Sequence, residues 1–176
     1  MSILLALAAL ATTGPVKPPV PNLQWGQAYP AKPPYKQINS DAPDMQRFVT
    51  PQGAHMFAKF TPKTRKLWGV VFLYASSQDN FQSYLNNYQD YRQALTGKYG
   101  EPSSSFDFAS YPYDKGQEEV AHSLGKYTLA DYWMNFSQTV LSISLTEHGL
   151  TRISYESVQF SAIDDHERAQ AREESI

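Results

Sequence analysis

One segment limits the possible folds more than any other. Phe81, Tyr84, Leu85, Tyr88, Arg92, Leu95 and Tyr99 recur at the spacing that sets side chains on one face of a helix, while Asn80, Asn86, Asp90 and Gln93 fill the opposite face. Ser76, with Asp79 three residues on, has the spacing of a capping box. At the other end Gly100 can adopt positive φ and Pro102 cannot continue a helix, so Gly100-Glu101-Pro102 is a stop. The pattern predicts an amphipathic helix from about 78 to 99. Its ring-bearing stripe needs an apolar surface to lie on.

The flanking sequence supplies that surface as strands. His55 to Phe60 alternates with Met56, Ala58 and Phe60 facing inward, Thr61-Pro62-Lys63 turns the chain, and Leu67 to Ala75 is apolar on both alternating sets, as in a central strand. After the helix, Ser104 to Ala109 alternates with Phe106 and Phe108 on one side. A short helical turn, Gln117 to Leu124, closes at Gly125. Tyr127 to Phe136, Thr139 to Thr146 and Leu150 to Val158 read as three further strands, the last two joined through Glu147-His148-Gly149. The expected class is α+β: an antiparallel sheet of about five to six strands with one long amphipathic helix packed on one face, a short helix, and a C-terminal helix or tail.

Outside this region the composition changes. Ile3 to Ala11 (ILLALAALA) is too short to cross a bilayer, which takes about 20 apolar residues, but suits the core of a signal peptide, with A-x-A-like sites at Ala6-Leu7-Ala8 and Ala9-Leu10-Ala11. Residues 12 to 34 hold seven prolines, which fix φ and lack an amide proton, so a spacer is expected there; Trp25 and Tyr29 either dock it on the domain or face a partner. The expected organisation is therefore a signal-peptide-like segment over 1–11, a proline-rich spacer over 12–52, an α+β domain over 53–158 and a charged C-terminal tail or helix over 159–176. This predicts a periplasmic or secreted protein with no transmembrane span.

The resulting order is strand, helix, Lys98-Tyr99-Gly100-Glu101-Pro102, strand, then Trp133 in a later strand and a closing hairpin. It resembles a set of small exported bacterial α+β proteins of unknown function with a helix–KYGxP–strand pattern. More remotely it is similar to the fold shared by outer-membrane-assembly lipoproteins of the SmpA/OmlA type and β-lactamase inhibitor protein. The resemblance implies an antiparallel sheet carrying a helix, and no functional residue transfers with it. Unlike the lipoproteins, this chain has no cysteine to acylate.

Several chemistries have no support in the sequence. The absence of cysteine removes disulfides, thiolate metal sites and cysteine nucleophiles. The formal net charge of −2 lacks the clustered excess of cations that phosphate binding needs, and Lys63, Arg65 and Lys66 beside Trp68 read as a solvated turn, so nucleic acid is not an expected partner. There is no Gly-x-Ser-x-Gly, phosphate loop or His-Glu-x-x-His. His55, His122, His148 and His166 fall in four separate elements, and Asp164-Asp165-His166-Glu167 reads as a solvated run, so no metal is predicted. The sequon Asn135-Phe136-Ser137 lies in a predicted strand and reads as coincidence. No catalytic residue or cofactor is predicted.

Two function classes remain. The first is a non-enzymatic exported module binding a protein or cell-envelope component through a sheet face, an edge strand or the loop carrying Tyr111 and Tyr113. The second is a small envelope hydrolase whose acids, drawn from Asp107, Asp114, Glu118, Glu119 and Asp131, converge only in three dimensions.

Overall fold

The computed structural model describes residues 18–40, 42–136 and 138–174, with backbone alone for Asn135 and Phe136. The signal-peptide-like segment and the sequon's side chains lie outside the described residues. In chain order the elements are β1 (Lys36–Ile38), β2 (Met45–Val49), β3 (His55–Phe60), β4 (Leu67–Tyr74), α1 (Phe81–Tyr99), β5 (Ser104–Ala109), α2 (Glu118–Ser123), β6 (Tyr127–Phe136), β7 (Thr139–Leu145), β8 (Thr151–Ser157) and α3 (Val158–Glu173). Among the described residues the strands form one eight-stranded antiparallel sheet in the order β1-β2-β3-β4-β8-β7-β6-β5. The class is α+β as expected, but the strand count of five to six is corrected to eight. Two strands come from residues 36–49, inside the stretch expected to be spacer.

The register carries single rows of side chains across the whole sheet. Lys36, Val49, His55, Leu73, Arg152, Ser144, Ala130 and Phe106 stand side by side on one face. The other face is the core. Its β3 contribution is Met56, Ala58 and Phe60, all fully buried, as the alternation predicts. At the β3–β4 end the register slips, so that Lys59 pairs with Gly69 and Phe60 with Leu67. This bulge turns Trp68 outward, with the Lys59 ammonium 4.5 Å above its ring, and keeps both Leu67 and Val70 buried.

Two unlike covers close the core face. Over β7 and β8 lies α1, burying Tyr88 and Leu95, with Phe81, Tyr84, Leu85 and Tyr99 packed around them. Its start differs from the expected capping box. Asn80 is the cap, accepting a hydrogen bond from the Ser83 amide at 2.8 Å, so the helix begins at Phe81. It stops where expected, at Gly100, whose φ of 82° and amide bond back to the Thr96 carbonyl close the last turn. At the β7–β8 turn Gly149 has φ of 73°, and a Cβ there would sit 2.4 Å from the Tyr84 ring. Both the turn and the helix contact therefore need glycine.

The second cover is the proline-rich segment. Val20, Leu23 and Ala31 are buried on the β2–β4 side of the core, and Gly26, Gln27 and Tyr29 exchange backbone hydrogen bonds with Arg65 and Leu67. Trp25 docks against the core and donates its indole N–H to Thr139 Oγ1 at 3.0 Å. Tyr29 packs edge-on against Phe60 beneath the Arg65 guanidinium.

The C-terminus is a helix rather than a tail, capped by Ser157, whose hydroxyl accepts from the Phe160 amide. The run Asp164 to Glu167 is not wholly solvated. Asp164 and Glu167 are buried. Glu167 accepts from the Lys63 amide at 2.6 Å, the Thr64 amide at 3.2 Å and the Thr64 hydroxyl at 2.6 Å, so it clamps the β3–β4 turn. Arg168 bridges Asp164 and Asp44.

Candidate interaction site

At the far end of the sheet the pattern inverts. In β5 the polar residues Ser105 and Asp107 point to the side that carries α1 and α2, where the Ser105 hydroxyl donates to Asp131 and Asp107 accepts from the Tyr127 hydroxyl at 2.7 Å. Phe106 and Phe108 point to the opposite face, 45% and 49% exposed. Tyr132 meets Phe106 edge to face at 5.8 Å, and Met134 at the end of β6 is exposed as well. Helices α1 and α2 lie on the other side, and α3 packs on this one only at β4 and β8, so the apolar residues of β5 remain in water.

The helix-side attachment of β5 is a buried polar knot. Asp131 accepts from the Tyr88 hydroxyl at 2.6 Å, from Arg92 Nε at 2.7 Å and from Ser105. Burial, reinforced by the bond to Asp131, pushes the Tyr88 phenol well above its ordinary range, and burial with the Asp107 bond does the same for Tyr127. Both phenols therefore stay protonated as hydrogen-bond donors. A buried carboxylate with three donors is a structural fixture, and it removes Asp131 from the list of candidate acids.

Three of the other acids do come together. Asp107, Asp114 and Glu118 line a cleft of about 530 Å³ with Phe108, Ala109, Tyr113 and Lys115. Glu119 is exposed and outside it. The loop forming the far wall is internally hydrogen-bonded: the Tyr113 amide donates to the Ser110 carbonyl, the Asp114 amide to Gln117 Oε1, and the Gly116 amide to Glu118 Oε1 at 2.9 Å. The Gly116 amide, with the glutamate's own amide, holds the Glu118 carboxyl below its usual range. The two loop tyrosines part company. Tyr113 is half-buried in the cleft, while Tyr111 is 93% exposed. Sequence spacing brought attention to both, but only the fold separates an anchored ring from a projecting one.

Phe106 and Phe108 are the residues that sequence reasoning placed correctly on one face without recognising which face was open. Among the described residues no group of three or more His, Asp or Glu side chains is placed to hold a metal ion, and no helix is long and apolar enough to cross a membrane. Fold and site together define an α+β domain that ends in an aromatic, acid-lined sheet edge. No family model, curated protein or solved structure matches this chain.

Proposed function

We propose that this chain is a non-enzymatic interaction module of an exported protein, which holds a protein or cell-envelope component against β5 and the Tyr111–Tyr113 loop. The carrying observation is the inverted strand: Phe106 and Phe108 face solvent in the strand that leads into Tyr111, while Ser105 and Asp107 face the side of α1 and α2. Large rings held by a hydrogen-bonded scaffold offer contact area at little entropic cost. Clustering them at one sheet end costs solvation unless a partner covers them. The export component rests on Ile3 to Ala11, and it accords with the resemblance to small exported bacterial α+β proteins and, more remotely, to the SmpA/OmlA and β-lactamase-inhibitor-protein-like fold.

The competing reading, a small envelope hydrolase, draws on the same cleft because Asp107, Asp114 and Glu118 converge there. A general acid needs a carboxyl raised toward neutral pH. Glu118 is shifted the other way. The test uses the whole chain as bait, since β1 and β2 belong to the sheet. Wild type and the Tyr111→Ala/Tyr113→Ala double variant are immobilised and offered the same envelope extract. Loss of a stoichiometric partner by the variant supports the module. An unchanged catch disposes of the aromatic-loop anchor, and glycan hydrolysis lost in Glu118→Gln would favour the hydrolase.

A further inference from the structure

We infer that the outer edge of β5 accepts one more strand, from an extended peptide of another protein that carries a lysine or arginine. The inference rests on the interaction-module reading and names its partner class. The Ser110 amide donates to the Lys126 carbonyl, in phase with the β5–β6 ladder. Bonding direction alternates along an antiparallel strand. Phe106 and Phe108 therefore bond toward β6, and the backbone groups of Ser105, Asp107 and Ala109 point away from the sheet. Among the described residues β5 pairs with β6 alone and ends the strand order.

The cleft runs along that edge. Asp107, Phe108 and Ala109 are consecutive and point alternately to the two faces, yet all three line it. A cavity touched by both sets must lie beside the backbone, between the strand and the loop from Tyr113 to Glu118. An added strand would find ladder groups along one wall and the two phenylalanines as a flank for its alternate side chains.

Charge decides the occupant. The cleft carries Asp107, Asp114 and Glu118 against Lys115 alone, which favours a cation on the incoming segment. A second copy of this chain is disfavoured by the same groups. Antiparallel self-pairing of β5 brings Asp107 opposite or diagonal to its own counterpart, with two acidic loops alongside, and like charges so placed repel.

The test uses the full chain and labelled nonapeptides of alternating threonine and valine that differ only in two residues, lysines in one and glutamates in the other. Binding is read by fluorescence anisotropy and by amide exchange at Asp107 and Ala109. The lysine peptide is expected to bind, to slow exchange at both amides, and to weaken roughly tenfold with Ala109→Pro, which removes one outward N–H. Asp107→Asn or Glu118→Gln should weaken it about threefold. The same peptide N-methylated at alternate residues should not bind, a readout that does not depend on how any variant folds. Gln37→Pro on the opposite edge should change nothing. Equal binding of the N-methylated peptide, or no slowing of exchange, overturns strand addition, and equal binding of the glutamate peptide overturns the cationic assignment. If neither peptide binds while Tyr111→Ala/Tyr113→Ala still loses the envelope partner, strand addition falls and the module stands. If the partner is kept as well, both fall.

Discussion

The two ends of the sheet meet water in opposite ways. β1 is three residues long, follows Pro33 and Pro34, and carries Lys36 outward. Brevity, proline and lysine are the means by which natural sheets keep an edge from recruiting another chain. Behind it, β2 is fixed from inside by buried Phe48 and by Gln46, whose side-chain oxygen accepts from the Ala31 amide at 2.6 Å. β5 has six residues, no proline or lysine, and two half-exposed phenylalanines. Beyond the ladder, Ser105 ties it to Asp131 and Asp107 to the Tyr127 hydroxyl. An edge that is guarded and an edge that is not, in one sheet, show that exposure at β5 is local. It does not come from a general shortage of covering structure.

The largest expected contrast is in stability. Phe48→Ala should cost about 4 kcal/mol in urea unfolding, because it leaves a cavity under β2. Phe108→Ala should cost less than about 0.5 kcal/mol. Equal costs would mean that both ends are built alike. Next comes Asp131→Ala, which strands Arg92 and the Tyr88 hydroxyl and should cost about 3 kcal/mol, with β5 amides exchanging before those of β2.

A smaller effect is pH-dependent and belongs to the guarded half. Burial alone would raise the Glu167 carboxyl, but the Thr64 hydroxyl and the Lys63 and Thr64 amides more than offset it, so the folded value lies below the ordinary 4.5. A depressed acid stabilises fully above its unfolded value and loses that contribution as pH falls through its folded one. Glu167→Gln should therefore lower stability by about 1 kcal/mol at neutral pH, and the difference should shrink below about pH 4. Thermal melts of both proteins across that range would show it. The smallest effect concerns association. Phe108→Lys should leave the melting temperature within a few degrees of wild type and reduce light scattering in concentrated solution, whereas Lys36→Thr should leave scattering nearly unchanged.

Much of the fold was legible locally. β3 and β5 through β8 follow from alternation, and α1 from its stripe and its glycine stop, because each pattern is set by neighbours in sequence. β1 and β2 were not legible. The proline density before them outweighed the weak alternation of Met45 to Val49, and their pairing partners are supplied by β3. The acids of α3 were misread because a charged run usually faces water. Glu167 is held by Lys63 and Thr64, and Arg168, which pairs with Asp164, is anchored by Asp44, all more than a hundred residues away. At the candidate site, alternation in Ser104–Ala109 gave the phase of the strand but not its sign. Which face of β5 is covered depends on where α1 and α2 end, and no feature within the strand records that.

The pairing of β4 with β8 joins Gly69–Tyr74 to Thr151–Glu156 and sets a seam down the middle of the sheet. Each half is a meander of four strands whose connections, including the one that carries α2 between β5 and β6, are shorter than the loop the seam closes. A chain made from its N-terminus completes the first meander early. It must then carry Val70 and Phe72 on an unzipped border until the last strand of the second arrives. Anything that holds β8 back leaves two half-sheets rather than one partly frayed whole.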